Sequence, residues 1–141
     1  MSICQLSIFV ENQPKKLATV TEVLAANDVN IRALSIADTA DYGILRLIVS
    51  DSKKAYDALK ANGIMVAITE VIAIKIPDVP GGLNSAIQVL SQKDIAIEYI
   101  YAFVSNSTDD AFVVVRVSNN ENALKALEEA GIKTATDENF A

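Results

Sequence analysis

The chain is written twice, and that repetition limits what it can fold into more than any other feature. An offset of 66 residues sets Pro14 on Pro80, Leu17 on Leu83, Val23-Leu24 on Val89-Leu90, Asp28 on Asp94 and Ile31 on Ile97. Past the first hairpin the offset becomes 68, which sets Ala55 on Ala123, Leu59 on Leu127 and Gly63-Ile64 on Gly131-Ile132. The two extra residues fall in the second hairpin tip, Ser105 to Asp110, where a change of length is tolerated most easily. Two domains are therefore expected, at residues 1–70 and 71–141.

Each copy reads strand, helix, strand, strand, helix, strand. Leu6, Ile8 and Val10 alternate with Gln5, Ser7 and Phe9, the pattern of a strand with one buried face. Pro14 suits the first turn of a helix, where its missing N–H has no partner to lose. Leu17, Val20, Val23 and Leu24 keep helical spacing. Residues 31–37 and 42–49 form a hairpin around Asp38-Thr39-Ala40-Asp41. Asp51 or Ser52 can cap a short helix carrying Tyr56 and Leu59, and Gly63 fits just beyond its end. The second copy follows the same course from Val71, with helices near 81–93 and 121–130. This is the split βαβ arrangement of the ferredoxin-like α+β folds, with both helices on one sheet face. The stretch IMVAITEVIAIKIP (64–77) joins the copies with no Gly, Pro or Ser linker, so they are expected to be fused rigidly and packed side by side.

Composition narrows the function. The chain has no histidine, one cysteine (Cys4) and a net charge of −6. The usual general base and metal ligand is missing, and no disulfide can form within the chain. The acidic balance opposes a phosphate-backbone partner. No apolar run reaches the roughly 18 residues of a membrane span, and Met1 leads directly into a strand, so a cytoplasmic protein is expected. No cofactor is implied, and no Ser-His, Cys-His or metal constellation can be assembled, so an enzyme is not expected.

The loops carry a specific resemblance. VENQPKKLATVTEVLAANDVNIRALSIADTADYGILRLIV is similar to the first four elements of an ACT domain, the small amino-acid-binding module of biosynthetic enzymes. PDVPGGLNSAIQVLSQKDIAIEYIYAFV repeats the pattern with the more typical Pro-Gly. The resemblance spans both copies and is especially close to stand-alone tandem ACT proteins. It implies a non-catalytic regulatory protein that binds a small amino acid where two ACT units meet and signals to a metabolic enzyme or regulator.

Carried over by position, the loop residues are Asn12, Gln13 and Pro14 in the first copy. In the second they are Asp78, Val79, Pro80, Gly81, Gly82 and Leu83. The facing strand positions are Asn30 with Ile31, and Ala96. Lys15 stands where a glycine is usual and Ala96 lacks an amide, so the two sites are expected to differ, with the Asp78 loop and Asn30 forming the stronger one. A helix start suits an α-carboxylate, and Asp78 can accept from an ammonium group. A few such bonds imply roughly micromolar to millimolar affinity.

Plainer readings stand beside these. Asp38 and Asp41 read first as turn formers, Tyr99 and Tyr101 as core, Cys4 as a small hydrophobe, and the Pro-Gly-Gly run as loop punctuation. The alternative function is a protein-interaction subunit that binds no ligand. Alternation also puts Leu6, Leu45, Leu47, Val113 and Val115 under the helices. It leaves Phe9, Ile44, Ile48, Phe112 and Val114 on the opposite face, which is expected to be covered by a second copy in a homodimer.

Overall fold

The computed structural model describes residues 2–11, 13, 15–38, 42–103 and 110–140. The order is β1 (Ile3–Glu11), α1 (Lys16–Ala26), β2 (Ile31–Asp38), β3 (Tyr42–Val49), α2 (Ser52–Ala61), β4 (Val66–Pro77), α3 (Gly82–Gln92), β5 (Ile97–Ala102), β6 (Asp110–Val117), α4 (Asn120–Glu129) and a terminal 3-10 turn, Asp137–Phe140. The chain divides into two compact units, one of Cys4–Thr69 with Phe140, the other of Glu70–Asn139 with Ser2 and Ile3. All pairings within them are antiparallel, β2-β3-β1 in the first unit and β5-β6-β4 in the second. The ferredoxin-like α+β class is therefore what the repeat indicated.

In the first unit, Leu6 and Ile8 of β1 and Leu45, Leu47 and Val49 of β3 meet Val20, Leu24, Ala55 and Leu59 of the two helices. In the second, Ile72, Ile74 and Ile76 with Val113, Val115 and Val117 meet Ala86, Leu90, Ala123 and Leu127. Every residue assigned by alternation to the helix-covered face lies in these cores. The other face departs from expectation. Ile48 and Val114 are 1% and 0% exposed within the single chain, while Phe9 is 55% exposed. Val114 sits between Ala73 and Tyr101 across the sheet. There the Tyr101 ring is stacked on Tyr99 with centroids 6.4 Å apart.

Among the described residues, the four α-helices stop in the same way. The residue after the C-cap has positive φ: 56° at Asp28 and Asp94, 72° at Gly63 and 74° at Gly131. The following N–H reaches back to a buried leucine carbonyl: Val29 to Leu24 (2.9 Å), Ile64 to Leu59 (3.0 Å), Ile95 to Leu90 (3.0 Å) and Ile132 to Leu127 (2.9 Å). This is the Schellman closure, which satisfies orphan carbonyls and turns the next apolar residue toward the core. The second helix of each copy also has a side-chain N-cap: Asp51 Oδ1 accepts from Lys54 N–H (3.1 Å) and Asn119 Oδ1 from Asn122 N–H (3.0 Å).

The copies differ at their last strands. In the first unit the chain enters β4, a single strand of 12 residues that crosses the unit boundary between Thr69 and Glu70. In the second the equivalent segment makes only a bridge, Thr134 to Ile74. The chain then turns as Asn139 Oδ1 accepts from Thr136 N–H at 2.7 Å. A Lys-Thr-Ala-Thr-Asp sequence offers few apolar side chains to hold a strand there. Among the described residues no helix is long and apolar enough to cross a membrane.

Candidate functional site

The loops between the first strand and first helix of each copy share one backbone hydrogen-bond pattern. In the second copy Val79 N–H donates to Pro77 O (2.9 Å), Gly82 N–H to Val79 O (3.0 Å) and Ser85 N–H to Gly81 O (3.0 Å). In the first, Gln13 N–H donates to Glu11 O (2.7 Å), Lys16 N–H to Gln13 O (3.2 Å) and Thr19 N–H to Lys15 O (3.0 Å). Even the hydroxyls agree, with Ser85 Oγ–H donating to Gly81 O and Thr19 Oγ1–H to Lys15 O. A helix leaves its first N–H groups without intrahelical acceptors, and in α3 these include Leu83 and Asn84.

What separates the loops is glycine. Gly81, the N-cap of α3, has φ 86°, whereas Lys15, the N-cap of α1, has φ −98°. Gly82 is buried, and a Cβ there would overlap the Pro77 carbonyl oxygen. Two glycines thus let the helix start close onto the end of β4, and a Lys-Lys pair cannot copy that path. Asp78, Val79 and Pro80 are exposed around it, and Leu83 is 39% exposed. Gln13 is exposed; Asn12 and Pro14 lie outside the described residues.

Asn30 is exposed and clamps the ends of β2 and β3: its N–H donates to Ser50 Oγ, and its carbonyl accepts from Ser50 N–H, both at 2.9 Å. Ile31 is partly buried against the first core. Ala96 is exposed. In the first hairpin Asp38 pairs with Gly43. The tip residues Thr39, Ala40 and Asp41 lie outside the described residues, as do 104–109 of the second.

One feature was not anticipated. Each unit has a groove between the end of its first strand, the start of its first helix and the turn after its second helix. In the first unit it measures about 650 Å³, in the second about 230 Å³. The linings correspond position for position: Phe9 with Lys75, Glu11 with Pro77, Lys16 with Gly82, Ile64 with Ile132 and Met65 with Lys133. Lys75 also pairs with Asp110 at 3.2 Å beside the smaller groove. The repeat offsets hold the clue: an apolar pair in one copy stands against a lysine pair in the other.

Comparison with known proteins agrees with this architecture. A crystal structure of a protein from Bacteroides thetaiotaomicron is 45% identical, covering 99% of this chain and 96% of that one, with a TM-score of 0.93. The ligand-free regulatory subunit of aspartate kinase from Thermus thermophilus is 21% identical over 90% of this chain and 91% of that one, with a TM-score of 0.65. The same subunit from Thermus flavus is 19% identical over 91% and 92%, with a TM-score of 0.59. These two share the fold. No curated protein matches the sequence significantly. The family described as the ACT domain pair matches residues 1–141, and the chain belongs to that family.

Proposed function

We propose that this chain is a non-catalytic amino-acid sensor, which binds a small amino acid and passes that state to a metabolic enzyme or regulator. The observation that carries it is the β4–α3 loop. Gly81 and Gly82 bring the backbone close, the Leu83 and Asn84 N–H groups, which lack intrahelical acceptors, suit an α-carboxylate, and Asp78 stands beside them for the ammonium. Likeness of fold to regulatory subunits of aspartate kinase supports a regulatory role. The test is a thermal-shift screen over the proteinogenic amino acids, since a ligand that binds only the folded state raises the melting temperature. A small amino acid is expected to do so. A flat response across the panel would leave the reading without its ligand and favour a subunit that acts through protein contacts alone.

A further inference from the structure

We propose that the open sheet face of the second unit is a stacking site for an uncharged purine, taken as the free base or the nucleoside. This goes beyond the function proposed above, because the face uses none of the β4–α3 loop.

The pairing registers fix which residues share that face. Val113 and Val115 of β6, with Ile74 of β4, belong to the helix-covered core, so their neighbours in sequence stand on the opposite side. On β6 these are Phe112, Val114 and Arg116. On β5, Tyr99 pairs with Arg116 and Tyr101 with Val114. Phe103 comes next, its N–H donating to Phe112 O at 3.0 Å. Two of the chain's four Tyr and two of its four Phe are thus gathered on one face. The Tyr99 and Tyr101 rings are near parallel, 20° apart with centroids at 6.4 Å, and Phe103 meets Phe112 edge-on at 5.9 Å. All four are only partly buried, so Tyr99 and Tyr101, read from the sequence as core, keep part of their surface open. The fold does not demand rings there. By the repeat offsets the first copy has Ala33, Ser35, Ala37 and Ile44 at the same four places.

Partly open rings on a sheet stack against planar ligands, and every nucleobase presents such a plane. The rim chooses among planes. Arg116 Nε–H donates to Glu98 Oε2 at 3.2 Å, which leaves the guanidinium Nη groups as donors and Glu98 Oε1 as an acceptor beside Tyr99. A purine edge carries acceptors and donors side by side, and this pair answers both. The first copy has Ile48 in place of Arg116 and cannot. At the other end Lys75 Nζ lies 3.2 Å from Asp110. Both cations already face a carboxylate, so this surface has no surplus positive charge for phosphate, in keeping with a net charge of −6.

Titration calorimetry with guanosine, inosine, adenosine, uridine and guanosine monophosphate tests this. At least one purine nucleoside is expected to bind, with uridine and the monophosphate weaker by roughly tenfold or more. Tyr99→Ala, Tyr101→Ser and Arg116→Ile each install the first copy's residue and should each weaken binding roughly tenfold or more. Unfolding midpoints report whether these variants stay folded. On the unaltered protein, the ligand's base protons should shift upfield in NMR spectra, which reports stacking on rings without any substitution. Asp78→Ala should leave purine binding unchanged, so this reading and the amino-acid reading fail separately. The proposal is overturned if no purine binds, if binding brings no upfield shift, or if it survives both tyrosine variants. Tighter binding of the monophosphate overturns it too. Sedimentation showing self-association that Tyr101→Ser abolishes, with no purine bound, would assign the face to a second copy instead.

Discussion

Lys15 and Gly81 stand at the same place in the two copies, one residue before a helix and in the same hydrogen-bond pattern, yet their φ angles are −98° and 86°. Residue type has chosen the path. A left-handed conformation costs an L-residue about 1–2 kcal/mol, which lysine avoids and glycine does not feel.

Substitutions at the two glycines separate conformation from space. A Cβ on Gly81 meets nothing within 4 Å, so Gly81→Ala should cost only the left-handed penalty, about 1–2 kcal/mol. Gly82→Ala drives a methyl into the Pro77 carbonyl and should cost more, about 2–3 kcal/mol, because backbone must move. Urea denaturation of both variants checks the order. A Gly82 variant as stable as the wild type would mean that the helix start slides freely.

Asp28 and Asp94 occupy the position that Gly63 and Gly131 hold in the other two helices, all at positive φ. Asp28→Gly and Asp94→Gly should each stabilise the protein by about 0.5–1 kcal/mol, the strain released less the greater freedom of glycine in the unfolded chain. Thermal unfolding midpoints should rise together. A fall in either would show that the aspartate side chain contributes a bond worth more than the strain.

For binding, Asp78→Ala should lose about 1.5–3 kcal/mol of affinity for the small amino acid found in the screen, and Asn12→Ala clearly less. Calorimetry on both variants decides which loop matters. The reverse order would move the site to the first copy.

Lys53 supplies a pH marker. Its Nζ lies 2.8 Å from Asp57 Oδ2, and that hydrogen bond, then the Asp57 charge, raises its pKa above the ordinary 10.5. A raised value means that the folded state holds the proton more tightly. The contribution is therefore fully present below the unfolded pKa and is lost as pH rises through the folded one. The pair is exposed, 87% and 60% at the two side chains, so its effect on stability should be slight. An NMR titration of the lysine side chain should give a midpoint above 10.5 that falls in Asp57→Asn.

The repeat, the helices and the inward faces of the strands could all be read from residue order, because each rests on local periodicity and caps. A cap at Asp51 or Ser52 and a helix end at Gly63 follow from residue order for that reason. The positions that escaped depend on neighbours distant in sequence. Val114 is buried on the face that alternation leaves open, and Asp28 takes a glycine's conformation because the helix end demands it. At the candidate site, Gly81-Gly82 could be read from the sequence as a tight helix start, whereas the packing of Ile31 on the first core depends on residues distant in sequence. The larger groove was invisible because its lining comes from three separate elements.

The continuous β4 also bears on how such a protein is handled in a cell. Proteolytic nicking concentrates at loop tips, and the junction at Thr69-Glu70 runs instead as strand. A duplicated gene usually leaves a loose seam that later cutting or recombination can exploit. Here the joining segment, Val66–Pro77, is itself strand, so no loop separates the two repeats.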